Sequence, residues 1–99
     1  MQININSVHF KADKKLVTFI NEKVQKISGL YEGVLGSDIT LKVENTEEPE
    51  NKVTEIRVYI PGNDLYAKKQ CKTFEEATDT AVAAIRRQIS KYKTKIRAR

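Results

Sequence analysis

"KVTEIRVYIPGNDLYAKKQCKTFEEATDTAVAAIRRQI", residues Lys52–Ile89, changes its apolar period once, and that change separates strand from helix. From Lys52 onward, Ile56, Val58 and Ile60 alternate with polar neighbours, the two-residue period of a strand with one buried face. "PGND" (61–64) makes a tight hairpin connection, and "LYAKKQCK" (65–72) is the next strand. Thr73 can then cap a helix, with Glu76 where a capping box places its acidic member. Beyond it Phe74, Ala77, Ala81, Ile85, Ile89, Tyr92 and Ile96 follow at helical spacing and define one apolar face.

Upstream, "DITLKVEN" puts Ile39, Leu41 and Val43 on one side of a half-buried strand, and "TEEPEN" is an acidic turn. "SGLYEGVLGSD" supplies three glycines and ends the preceding helix near 28–31. That helix starts from Asp13, a plausible N-cap, and carries Leu16, Ile20, Val24, Ile27 and Tyr31 on one face. "QININSVHF" alternates Ile3 and Ile5 with polar residues and reads as the first strand. The order β-α-β-β-β-α predicts an α+β two-layer sandwich. The first crossover implies a parallel pairing for strand one, the later strands form an antiparallel meander, and both helices cover one face of a four-stranded mixed sheet.

Ninety-nine residues suit one domain, and 39% hydrophobic with 31% charged side chains describes a globular chain. No apolar run approaches a membrane span, and no basic leader precedes an apolar stretch, so the expected compartment is the cytoplasm. Cys71 stands alone and reads as a small buried side chain at a strand end. One Cys and His9 cannot assemble a metal cluster, and no cofactor is expected. His9 has no acidic partner nearby, Glu47, Glu48 and Glu50 lie in a solvated turn, and no phosphate loop or nucleophile elbow occurs. The chain is not expected to be an enzyme.

Net charge is +5, and its location says more than its size. Seven of the 18 basic residues lie in 83–99, where there is no acidic one, so the first 82 residues are slightly acidic. On the last helix Arg87, Lys91 and Lys95 form an i, i+4, i+8 row, while Arg86, Lys93 and Arg97 share the opposite flank. Like charges at this spacing repel unless an anion is bound, although cations near a helix C-terminus recover part of that cost. A solvated, solubilising helix end is the plain alternative. The single sign of the run points instead to a polyanion, in particular nucleic acid. Lys23 and Lys26 on the first helix extend the pattern into a shared groove, and Lys68, Lys69 and Lys72 bring charge close to the start of the second helix. Contacts of this kind track phosphates and read few bases. Tyr31 and Tyr92 fall on apolar helical faces, and with no aromatic RNP strand or GXXG clamp, shape recognition of folded RNA fits better than reading of single strands.

Four stretches carry a family resemblance: "MQININSVHF", "INEKVQKISGLY", "IPGNDLYAKKQ" and, above all, "FEEATDTAVAAIRRQISKYKTK". Over essentially residues 1–97 the chain resembles the short-form ribosome hibernation promoting factors, the family that includes ribosome-associated inhibitor A (protein Y). The resemblance implies a double-stranded-RNA-binding-like fold on the small ribosomal subunit and its rRNA. There the family occupies the mRNA channel and overlaps the A and P sites, so that mRNA and tRNA are excluded in stationary phase or starvation. Lys23 and Lys26 match basic positions of the family's first helix, and Arg87, Lys91 and Lys95 match those of its last. Arg86 and Lys93 add charge where relatives can be neutral or acidic. Ala84 stands where relatives commonly have lysine, and Gln70 where they often have a basic residue, leaving that charge to Lys69 and Lys72. The resemblance also implies one ribosome-binding domain over 1–99, without the C-terminal dimerisation domain of long-form members. DNA and membrane are not expected partners. Two other classes stay open: a basic module that docks an acidic protein or an anionic membrane surface, and a general double-stranded RNA binder without ribosome preference.

Overall fold

Alternating and helical apolar periods each produce their element in the computed structural model, which describes residues 1–97. The order is β1 (Gln2–Ser7), α1 (Lys14–Gln25), a 3-10 turn (Lys26–Gly29), β2 (Gly36–Val43), β3 (Lys52–Ile60), β4 (Asn63–Cys71) and α2 (Phe74–Arg97). The sheet order is β1-β2-β3-β4. β1 runs parallel to β2, because α1 carries the chain back across the sheet between them, and the remaining pairs are antiparallel. The registers place Ile5 beside Ile39, Ile39 beside Ile56 and Ile56 beside Ala67, a row that crosses the sheet on its helix-covered face. The two-residue hairpin loop is Pro61–Gly62, with Gly62 at φ 77, the backbone a type II turn requires after a proline.

Both helix starts use the expected caps. The Asp13 carboxylate accepts from the Leu16 N–H at 2.8 Å, and the Thr73 hydroxyl accepts from the Glu76 N–H at 3.1 Å. Among the described residues, Glu76 makes no return bond to Thr73, so the capping box is half formed. Leu16, Ile20, Val24 and Ile27 from the first helical segment meet Ile39, Leu41, Ile56, Val58 and Ile60 from the sheet and Ala81, Ile85 and Ile89 from α2. Burying each of the Leu, Ile and Val side chains in this set stabilises the fold by about 1.5–3 kcal/mol.

Four apolar assignments differ in degree. Val43 is 49% exposed, because β2 ends with it beyond the reach of the helices. Ile96 is 43% exposed although it lies on the apolar stripe, because the last turns of α2 overrun the sheet. Tyr92 is half-buried, edge-on to the half-buried Tyr31 at 5.7 Å, at the rim of the core. Cys71 is half-buried instead of enclosed.

Two polar links set how α2 sits. The hydroxyls of Thr54 on β3 and Thr78 on α2 are 3.3 Å apart in the buried layer. At the sheet edge the Gln88 side-chain oxygen accepts from the Tyr66 N–H at 3.2 Å, while its NH2 donates to the Tyr66 carbonyl at 2.7 Å. Gln88 thereby satisfies edge-strand groups that have no neighbouring strand and fixes the rotation of α2 about its own axis.

Candidate nucleic-acid interface

Contacts at two levels show the helices side by side and parallel: Lys23 reaches Asp79 early in α2, and Lys93 late in α2 reaches Leu30 just after the 3-10 turn. The end of α1 and the 3-10 turn after it therefore run beside the stretch of α2 between Asp79 and Lys93, where the negative dipole end of α1 favours cations. α2 follows the same polarity, with Glu75, Glu76 and Asp79 near its start and no carboxylate from residue 80 onward. Because Gln88 faces β4, its near neighbours Lys91 and Lys95 emerge on that side, with Arg87 on the outer surface. All three are exposed.

Arg86 is exposed on the other flank, where it lines a groove of about 230 Å3 with Lys23, Lys26, Asp79, Val82 and Ala83. It also borders a second pocket, of about 320 Å3, with Leu30, Ile89, Ser90, Lys93 and Thr94. Among the described residues no carboxylate oxygen lies within 4.0 Å of Lys26, Arg86, Arg87, Lys91 or Lys95. Two other expected contacts are engaged within the protein. The Lys23 ammonium lies 3.2 Å from the Asp79 carboxylate and over the Phe19 ring, and Lys93 donates to the Leu30 carbonyl at 3.0 Å. Lys93 in that position also caps the end of the 3-10 turn, a structural role the charge pattern did not reveal. The side chain of Arg97, like residues 98 and 99, lies outside the described residues.

The strand lysines do not join this group. Lys68 projects from the sheet face opposite the helices, beside Glu55. Lys69 is half-buried on the helix side and Lys72 is exposed just after β4. Both stand near the start of α2, about 25 Å along its axis from Lys91, where Glu75, Glu76 and Asp79 are the nearest helical charges in sequence.

The uncovered face of the sheet is electrically balanced. Tyr59 donates to Asp38, which also accepts from Asn4 at 3.0 Å, and Tyr66 donates to Glu55. Lys42 lies 3.6 Å from Glu55 and 3.7 Å from Glu44, and Arg57 pairs with Asp64 at 3.4 Å while lying over the Tyr66 ring. The Tyr59 hydrogen bond, with help from Asn4, holds the Asp38 carboxyl below the usual range, and Tyr66, with Lys42 and Lys68, does the same for Glu55. The same bonds push both tyrosines up. The uncovered face thus has little unmatched charge among the described residues, whereas Lys26, Arg86, Arg87, Lys91 and Lys95 in the helix layer have no ion-pair partner there.

Sequence periodicity missed Asp79, Leu30 and Gln88. Asp79 was detectable: seven residues before Arg86, it falls on the same flank of α2. Leu30 and Gln88 act through contacts 63 and 22 residues away, which no local pattern encodes.

Among proteins of known sequence, the chain is 24% identical over 95 residues to a ribosome hibernation promoting factor of Pseudomonas putida, covering 96% of this chain and 89% of the relative. Among solved structures, the fold is shared with a ribosomal subunit interface protein from Coxiella burnetii, at a TM-score of 0.84 and 18% identity, covering 95% of this chain and 99% of that one. The N-terminal domain of Thermus thermophilus Protein Y is similar with a TM-score of 0.79 and 17% identity, covering 93% of this chain and 99% of that one. The sequence profile described as "Sigma 54 modulation protein / S30EA ribosomal protein" matches residues 3–97. On that match across nearly its whole length, the chain belongs to the Sigma 54 modulation protein / S30EA ribosomal protein family, the family of the ribosome hibernation factors.

Proposed function

We propose that this chain binds the small ribosomal subunit through rRNA phosphates and inhibits translation by occupying the mRNA channel and the A and P sites. The observation that carries this reading is the placement of Lys26, Arg86, Arg87, Lys91 and Lys95 on one helix layer, without carboxylate partners among the described residues, opposite a balanced sheet face. A rigid layer of this kind neutralises several phosphates of a folded RNA at once, and Lys23 joins them if a phosphate displaces Asp79. The domain then acts by bulk: mRNA and tRNA are excluded where it sits, with no covalent chemistry. It works as a binding protein in the cytoplasm, during stationary phase or starvation. Membership in a hibernation factor family and the name of the Pseudomonas putida relative support this assignment.

Sedimentation tests it. The protein is expected to travel with small subunits or whole ribosomes and to leave as salt rises. Arg87→Glu, Lys91→Glu and Lys95→Glu together should abolish the association while circular dichroism stays native. Persistent binding by the triple variant refutes the helix-mediated contact. Survival of the complex after RNA digestion points instead to a protein partner, and equal competition by free duplex RNA points to a general RNA binder.

A further inference from the structure

Beside the phosphate-tracking groove lies a pocket of different chemistry. Its floor is apolar, made by Leu30 and the buried Ile89. Its rim is polar: Arg86 and Lys93 supply two cations, and Ser90 and Thr94 stand one helical turn apart at the border. Its volume of about 320 Å3 is at the small end of specific ligand sites, which run from ~300 to 1,000 Å3. A continuous duplex cannot use such a depression, because paired bases are stacked inside the helix and only phosphates and sugars reach the protein. A site meant for phosphate alone would not need an apolar floor.

From this combination we infer that the pocket receives a single unpaired nucleotide of a structured RNA, the base against Leu30 and Ile89 and the phosphate against Arg86 and Lys93. Arg86 borders both the pocket and the adjoining groove, so a phosphate held there places the attached nucleoside at the pocket mouth. Its guanidinium plane is also a surface on which an unpaired base stacks. Lys93 is held at the pocket wall by its 3.0 Å bond to the Leu30 carbonyl, and the remaining ammonium donors are aimed with little further ordering. The side chains that form the site are thus largely in place beforehand. The inference rests on the RNA-binding reading for the source of the nucleotide, and it adds a local, base-dependent contact to a footprint that otherwise depends on phosphates.

Ser90→Leu tests it without changing any charge. Ser90 is exposed, so leucine leaves the core intact, suits a helix and fills the mouth. Affinity for small subunits should fall roughly five- to a hundredfold at fixed salt, the loss expected for one unstacked base, while the salt dependence stays the same. Unchanged affinity overturns the pocket, and if Arg87→Glu, Lys91→Glu and Lys95→Glu still abolishes binding, the wider reading survives. The free protein gives a second arm that needs no ribosome. Titration with adenosine or uridine 5′-monophosphate should shift the amide resonances of Leu30, Ile89, Lys93 and Thr94 in the wild type and not in Ser90→Leu. If inorganic phosphate alone produces the same shifts, the pocket is an anion site and the inference fails.

Discussion

Neutralising Arg87, Lys91 and Lys95 as Gln isolates charge from shape. The three side chains are exposed, lack carboxylate partners among the described residues, and glutamine matches lysine and arginine as a helix former. The fold should persist. With Lys26 and Arg86 they give five phosphate contacts, since Lys23 begins paired with Asp79 and Lys93 shares the phosphate held by Arg86. At ~0.7–0.9 per neutralised phosphate, the slope of log affinity against log salt is about −4 for the wild type. Between 50 and 200 mM salt that slope costs ~250-fold in affinity. The triple variant keeps two of the five, giving a slope of about −1.6 and a loss of only ~10-fold over the same range. Ribosome binding measured by fluorescence anisotropy across a salt series reads both slopes. A variant slope still near −4, with native circular dichroism, refutes the claim that this row meets the phosphates.

Three further outcomes follow from particular contacts. Asp79→Asn removes the carboxylate that lines the groove and releases Lys23, so ribosome affinity should rise and the salt slope should steepen by about one. The exposed ion pair is itself worth ~0.5 kcal/mol or less, so thermal melting should barely move, and equal or weaker binding contradicts the groove assignment. Gln88→Ala leaves the Tyr66 N–H and carbonyl to water; stability should drop by about 1 kcal/mol, read as a 4–8 °C lower midpoint, and an unchanged midpoint shows that Gln88 does not anchor α2. For pH, the depressed Asp38 and Glu55 carboxyls contribute stability that is fully present above the ordinary carboxylate pKa, about 4, and lost as pH falls below it. Tyr59→Phe with Tyr66→Phe removes the leading cause of both shifts and should flatten the acid limb of a denaturation series, whereas an identical limb disproves the assignment.

The balanced sheet face bears on specificity as well as stability. With Lys42, Arg57 and Lys68 each beside carboxylates, that face has little attraction for a polyanion, and on the proposed reading the helix layer is the side that meets RNA. A globally basic protein would bind in many orientations.

Local chemistry alone dictated most of the architecture. Period-two runs around Ile39 and Ile56, the helical stripe from Phe74 to Ile89, the Asp13 and Thr73 caps and the Pro61–Gly62 turn are choices made within a few residues, and each appears where its residues place it. The segregation of positive charge onto the last helix was equally plain, because charge is a property of composition. Which cations remain open to a partner was decided by contacts between distant segments. Asp79 meets Lys23 across 56 residues, Leu30 captures Lys93, and Lys68 leaves the group because β4 turns it to the other face of the sheet. An ammonium pairs with whichever oxygen the fold brings within reach, and that distance exists only once the helices lie side by side on the sheet.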